Sequence, residues 1–337
     1  MKAVAYQKPH KIEHPKVFQD IELDLPTVSG HDLLIEVKAI SINPVDIKMR
    51  LRTPADNQEW KVLGHDAVGI VKAIGPDVQN FKVGDEVFYA GSNQRQGSYA
   101  QYQLVDERIV SLKPKSLSNA EAAALPLTSL TAWEMLFERL HVNQPITGES
   151  QSILVIGAAG GVGSITVQLL KALTNLTVIA TASRPESRAW LQQIGADHIV
   201  DHSQPLESQV LNLGIGLPSF IFSITGTAGY LNAIEKLIAP QGRFGLIDDP
   251  ESFVINGFKI KSVSIHWESM FTRSTFQTQD MYKQGEILNK IAELVDSGKI
   301  KTTLSGHLGT INASNITQAH TLIESGKSIG KIVLEGF

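Results

Sequence analysis

The stretch Ile153-Leu154-Val155-Ile156-Gly157-Ala158-Ala159-Gly160-Gly161-Val162-Gly163-Ser164 restricts the fold more than any other part of the chain. Its first four residues are apolar and mostly branched, the composition of a buried strand, and residues 162–173 then take on a helical pattern. Residues 150–170 carry no charge, and that length is close to the ~20 residues of a membrane span. The four glycines, placed between a β-type run and a helix-type run, break such a span; a strand, a tight turn and a helix account for them better. A glycine-rich turn in this setting matches a dinucleotide fingerprint. Gly160 lets the backbone approach a pyrophosphate, and Gly163 lets the helix pack on the strand. Unpaired N–H groups at the helix start then face the phosphates. The usual first glycine of that fingerprint is Ala158 here, with Gly157 just before it. No Lys follows Gly163, so a nucleoside-triphosphate loop is excluded.

The surrounding pattern places the turn in a larger unit. From Ser152 onward strands alternate with helices: strands over 153–156, 177–181, 198–200, 220–224, 243–246 and 261–266, and helices over 162–173, 185–194, 206–213 and 230–238. Such alternation implies right-handed βαβ units and a doubly wound parallel sheet. Upstream the texture is β. Residues 31–43 alternate Leu33, Ile35, Val37 and Ala39 with polar neighbours, and short runs over 67–74 and 86–89 are separated by glycine turns, as in a barrel or sandwich. Residues 44–50 and 58–62 read as short irregular connectors, and 130–140 as a helical stretch. After His266 the alternation stops. Helices over 284–297 and 315–324 and a strand over 331–334 read as a return that completes the first domain.

Composition narrows the function. There is no Cys among 337 residues, which removes disulfide frameworks, thiolate catalysis, iron–sulfur clusters and Cys-based zinc sites. A formal charge of -4 gives no electrostatic argument for nucleic acid or an acidic membrane. No signal-peptide core is present near residues 1–7, so a soluble cytoplasmic protein is expected. The strand over 177–181 ends at Ala182-Ser183-Arg184, without the acid that an NAD site places on the ribose diol. A hydroxyl and a guanidinium suit a 2′-phosphate instead, and the expected cofactor is NADPH.

These pieces resemble the medium-chain dehydrogenase/reductase superfamily over essentially the whole chain. The resemblance rests on Ser41-Ile42-Asn43-Pro44-Val45-Asp46, Gly64-His65-Asp66-Ala67-Val68-Gly69, Val83-Gly84-Asp85-Glu86-Val87, Gly97-Ser98-Tyr99-Ala100-Gln101-Tyr102, Leu125-Pro126-Leu127-Thr128-Ser129-Leu130 and the glycine turn. Within the superfamily they look like the quinone oxidoreductase branch, and most like bacterial zinc-type alcohol dehydrogenase-like proteins. The resemblance implies an α/β chain: a GroES-like, mainly-β catalytic domain over residues 1–126 and 267–337, and a doubly wound Rossmann domain with a parallel sheet over 127–266. It implies a cofactor site at Ala158, Ala159, Gly160, Gly161, Val162, Gly163, Ser183 and Arg184. His202 stands where an aromatic residue often joins them, Thr225 and Phe244 lie at strand ends, and Lys331 in the closing Gly-Lys strand is expected near the phosphates.

At the substrate end the resemblance brings Asn43, Asp46 and Thr128 to the nicotinamide. Lys48 replaces a common aromatic, and either bonds a substrate carbonyl or reaches solvent. Asp46 equally suits a helix cap after Asn43-Pro44. Zinc-dependent members carry a Cys where Asn43 stands; His65 is retained, and Thr128 or Ser129 falls near the third ligand. One imidazole with an amide and a hydroxyl is a poor zinc set, so no metal is expected and His65 reads as a packing and hydrogen-bonding residue. The expected reaction is zinc-independent hydride transfer from NADPH to a small electrophile, a quinone or an α,β-unsaturated carbonyl. The open alternatives are a zinc-dependent alcohol dehydrogenase and a cofactor-binding relative with a structural or RNA-binding role. Family members pair Rossmann domains edge to edge, so a homodimer through the strand over 261–266 is expected.

Overall fold

Alternating apolar residues near the N-terminus fold as strands, beginning with β1 (Lys2–Tyr6) and β2 (Gln19–Glu22), which pair antiparallel. The computed structural model describes residues 1–337 apart from 56–58 and 147–148. The chain divides into two units, Met1–Leu130 with Phe271–Phe337, and Thr131–Met270. In the first unit β3 (Asp32–Ser41) leads into helix α1 (Pro44–Arg52). Then follow β4 (Lys61–Val62), β5 (Asp66–Ile74), β6 (Glu86–Tyr89), β7 (Tyr102–Asp106), β8 (Val110–Leu112), α2 (Asn119–Ala123) and α3 (Pro126–Trp133). The alternation in β3 suggests a half-buried strand, but most of it is buried on both faces. Both β5 and β7 pair with it antiparallel, and α2 lies against β3 and β5. Its branched side chains, with Val4, Ala67, Val71, Val87 and Tyr89, form the core of this unit. Each fully buried Val, Leu or Ile there contributes roughly 1.5–3 kcal/mol.

Two connectors read as irregular are ordered elements. Residues 44–50 belong to α1: Pro44 fits the first turn, where its missing N–H costs nothing, and the Asn43 N–H donates to Asp46 Oδ2 at 2.7 Å. Within 58–62, Lys61 and Val62 pair with Tyr6 and Ala5; Gln58 lies outside the described residues.

The second unit contains β9 (Ser150–Ile156), α4 (Gly161–Leu173), β10 (Thr177–Thr181), α5 (Pro185–Gln193), β11 (His198–Val200), α6 (Leu206–Leu211), β12 (Pro218–Ser223), α7 (Thr227–Leu237), β13 (Arg243–Leu246) and β14 (Ser264–Trp267). All six strands are parallel, in the order β11-β10-β9-β12-β13-β14. This is the doubly wound dinucleotide-binding order, whose direction reverses between β9 and β12. The last strand starts later than the sequence suggests. Residues Asn256–Lys261 form a 3-10 segment, and the Lys261 ammonium donates to the carbonyls of Glu235, Lys236 and Ile238 at 2.8 Å each. Lys261 thus serves the exposed carbonyls at the end of α7, and pairing with β13 begins at Ser264. The helical reading of 130–140 holds with a change of pitch, since Glu134–Arg139 is a π-helical turn.

The return segment comprises α8 (Thr272–Phe276), α9 (Lys283–Asp296), β15 (Leu304–His307), α10 (Ala313–Glu324) and β16 (Lys331–Glu335). β16 pairs parallel with β15 and antiparallel with the end of β3, completing the large sheet of the first unit. Among the described residues no helix is long and apolar enough to cross a membrane.

Candidate active site

The turn after β9 is shaped for a phosphate. Gly157 has φ +82, a conformation that only glycine adopts without cost, and its N–H donates to Thr181 Oγ1 at 3.1 Å. A Cβ on Gly163 would lie 2.4 Å from the Ala158 carbonyl oxygen, so only a bare Cα lets α4 approach this closely. A Cβ on Gly160 would meet only the Gly157 oxygen, at 3.7 Å. The protein therefore needs glycine at 163 for packing and leaves room at 160. Gly160 caps α4 and has no side chain to answer the first N–H groups, which suits an anion at that end. Ser164 and Trp190 brace the turn: the indole N–H donates to Ser164 Oγ at 2.8 Å, and that hydroxyl donates to the Ala159 carbonyl at 3.3 Å. The sequence signalled neither brace. Ala159, Gly160, Gly161 and Val162 are half-exposed, while Ala158 is buried under the helix.

Beside the turn, exposed Thr225 follows β12, its methyl 3.0 Å from where a Gly157 Cβ would sit. The next loop is held by Asp248, which accepts from the Thr227 N–H at 2.8 Å and its hydroxyl at 2.5 Å. At the ends of β10 and β11, Ser183 Oγ and His202 Nε2 are 3.2 Å apart. Arg184 precedes α5, half-exposed. Phe244 does not join this group. Its side chain is fully buried and stacks on Phe258 at 5.7 Å, because β13 turns that ring into the core.

In the first unit the expected substrate-end residues form a buried polar cluster. Asp66 is wholly buried. Its Oδ2 accepts from Ser41 Oγ at 2.6 Å, Asn43 Nδ2 at 2.9 Å and Lys331 Nζ at 2.9 Å, and its Oδ1 from the Leu127 N–H at 2.7 Å. Lys331 Nζ also donates to Asn43 Oδ1 and to the Ile42 carbonyl. Expected near the cofactor phosphates, Lys331 is instead 3% exposed with its ammonium enclosed by these acceptors. Pairing of β16 with β3 carries it inward. Asp46 uses Oδ2 on the Asn43 N–H and Oδ1 on His65 Nδ1, at 2.6 Å. Burial works against its charge, but His65, His320 and the Asn43 N–H together hold its carboxyl below the ordinary range. His65 packs on Phe271, ring centroids 4.7 Å apart. The Thr128 hydroxyl donates to the Leu125 carbonyl at 3.1 Å, whereas Ser129 Oγ is buried with no partner among the described residues. Lys48 is half-buried on α1.

Residues 29–115 match the alcohol dehydrogenase GroES-like domain, and residues 194–334 the zinc-binding dehydrogenase family. A zinc-type alcohol dehydrogenase-like protein of Staphylococcus aureus (strain MSSA476) is 41% identical over 336 residues, spanning 99% of both chains. The chain belongs to the medium-chain dehydrogenase/reductase superfamily. It is an oxidoreductase of a family that binds nicotinamide cofactors. Two solved structures share the superfamily fold at full length. One is a Rhizobium etli CFN 42 protein provisionally named a zinc-dependent alcohol dehydrogenase (57% identity, TM-score 0.98, 100% of this chain and 98% of that one). The other is the quinone oxidoreductase from Coxiella burnetii (26%, TM-score 0.81, 100% and 99%).

The zinc in those names would need donors that this chain has already committed elsewhere. Asn43 gives its oxygen to an ammonium, Asp66 is saturated by four donors, and both Asp46 oxygens are engaged. Among the described residues no group of three or more His, Asp or Glu is arranged to hold a metal. A dication beside the Lys331 ammonium would be repelled, and its oxygen ligands are already in use. These residues do not fit zinc.

Proposed function

We propose that the protein reduces a quinone or an α,β-unsaturated carbonyl with hydride from NADPH, without zinc. The observation that carries this reading is the Lys331 ammonium seated on Asn43 and Asp66, in the cluster where the superfamily's zinc ligands would fall. Without a Lewis acid the substrate must already be electrophilic at carbon, and the oxygen that becomes negative needs only hydrogen-bond donors. A simple alcohol does not meet that condition.

When bound, NADPH supplies the hydride; the chain binds, orients and shields. The N–H groups opening α4 take the pyrophosphate, and Ser183 with Arg184 takes the 2′-phosphate, in place of the acid that would select NAD. Lys48 is the polar group assigned to the substrate. Asn43, Asp46 and Thr128 act as positioning residues, since their side chains are bonded inside the fold. Most of the acceleration then comes from holding two reactants in register.

The reading extends to a homodimer. β14 is an edge of the parallel sheet, and Val254, Ile255, Ile260 and Trp267 are exposed on it or just before it, Ile260 to 91%. An open edge with apolar neighbours favours pairing with a second copy.

The test is oxidation of NADPH, with NADH alongside, by protein of known metal content, offered a quinone and an enone. Turnover by metal-free enzyme with NADPH preferred supports the reading. Activity confined to alcohols and dependent on bound zinc overturns it.

A further inference from the structure

We infer that Asp248 is a positioning residue for the cofactor: it fixes the loop after β12 beside the glycine turn, and through that loop the half of the dinucleotide that carries the nicotinamide. The inference rests on the reading that this chain binds a nicotinamide cofactor, and it holds for NADPH and NADH alike. Helix α7 opens without a cap of its own. The residue before it is Gly226, in the left-handed conformation at φ +66, with no side chain to take up the first N–H groups. A Ser, Thr, Asp or Asn at that place usually supplies the acceptor. Here the acceptor comes from 21 residues further on, just past the end of the neighbouring strand β13. Asp248 Oδ2 accepts from the Thr227 N–H at 2.8 Å, and Oδ1 from the Thr227 hydroxyl at 2.5 Å.

The hydrogens of this group have one arrangement. A carboxylate only accepts, so the Thr227 hydroxyl donates to Asp248, and Ser223 Oγ, 2.8 Å away, donates to Thr227. Ser223 and Thr227 are fully buried, while Asp248 is half-buried. Loss of the carboxylate leaves a buried hydroxyl and an N–H at the start of α7 without their acceptor. The loop is short. Upstream it is fixed where the Ile224 N–H donates to the Ile156 carbonyl at 3.0 Å, downstream it is fixed at Thr227, and Thr225 and Gly226 lie between. Thr225 is exposed, and its methyl borders Gly157, whose N–H is held by Thr181. The Asp248 anchor thus sets how the loop meets the phosphate turn. A doubly wound sheet binds a dinucleotide as two halves across its switch point, here between β9 and β12. The loops after β9 and β10 take the pyrophosphate and the adenosine ribose, which leaves those after β12 and β13 to the other nucleotide. Asp248 joins these two loops.

The experiment measures Kd by calorimetry for NADPH and NADH, and for their adenosine halves, adenosine 2′,5′-bisphosphate and AMP. The proteins are wild type, Asp248→Ala, Asp248→Asn, Thr227→Val and the double variant of Asp248→Ala with Thr227→Val. A loop that keeps its binding arrangement a tenth of the time weakens the dinucleotide about tenfold, the loss expected for Asp248→Ala. The adenosine halves end before that loop; they are expected to bind as they do to wild type, which also reports that each variant is folded. Thr227→Val loses dinucleotide affinity in the same selective way, and the double variant loses no more than Asp248→Ala, because both changes break one bond. Asp248→Asn, which keeps one acceptor, lies between. An equal loss for dinucleotide and adenosine half marks a merely structural residue and overturns the inference. So does an unchanged dinucleotide affinity in Asp248→Ala, which leaves the cofactor reading intact. A wild type that binds neither dinucleotide overturns the cofactor reading, and this inference with it.

Discussion

The Lys331 ammonium lies 2.9 Å from Asp66 Oδ2, a residue 265 positions earlier, and both groups are closed off from water. Breaking a buried pair from one side leaves an uncompensated charge, which costs about 3–5 kcal/mol. Lys331→Met is therefore expected to lose that much stability in urea unfolding. Adding Asp66→Asn removes the stranded carboxylate and should recover most of the loss. A single variant as stable as wild type would show that Asp66 needs no counter-charge.

His320 predicts a pH dependence. Burial pushes its imidazole down to about 4, with Asp46 opposing the shift, while the unfolded chain keeps a value of about 6.5. Between those values the unfolded state holds a proton that the native state lacks. Native stability is thus full above about pH 6.5 and declines by about 3 kcal/mol on acidification to about pH 4. Asp46, held below the ordinary carboxylate range, acts at still lower pH and leaves this window clear. His320→Gln should flatten the decline, as read by denaturant midpoints across that range; an unchanged slope would assign it to another group.

The two glycines of the turn should separate packing from binding. In Gly163→Ala the new methyl meets the Ala158 backbone, the nearest atom 2.4 Å away, so α4 must move and both thermal stability and cofactor affinity drop. In Gly160→Ala the methyl has ordinary clearance. That variant is expected to melt like wild type and to bind cofactor at least about tenfold more weakly, because the methyl blocks the close approach of a pyrophosphate. Calorimetry beside a binding titration distinguishes the two.

Association is checked by sedimentation. The wild-type species is expected at twice the 36.7 kDa chain mass, and Ile260→Glu with Trp267→Glu should shift it toward monomer. A wild-type monomer at all concentrations would remove the edge-pairing proposal.

Much of the second unit is legible in its sequence. His198–Val200 and Arg243–Leu246 are strands at the expected bounds, since short buried runs between turn residues admit few other readings. Which way Phe244 faces is not legible: a parallel sheet is covered on both sides, so its strands lose the polar alternation that marks an outward position. Lys331 was illegible for another reason. A Lys opening a strand reads as exposed, and nothing near it in sequence reveals a carboxylate contributed from residue 66. α1 was legible only at its start, where Asn43, Pro44 and Asp46 spell a helix cap, because the run after them is too polar and short to show helical periodicity.

The route of the chain has a consequence for its synthesis. β3 requires β16 as a neighbour, and Asp66 requires Lys331, yet both partners are translated only after all of Thr131–Met270 has been made. The intervening unit is contiguous and can fold as it emerges from the ribosome. The N-terminal strands must wait through that interval with an open sheet edge and an unmatched acid. A nascent chain stopped before residue 331 should therefore hold a finished nucleotide-binding unit beside an unsealed one, the part exposed to chaperones and proteases.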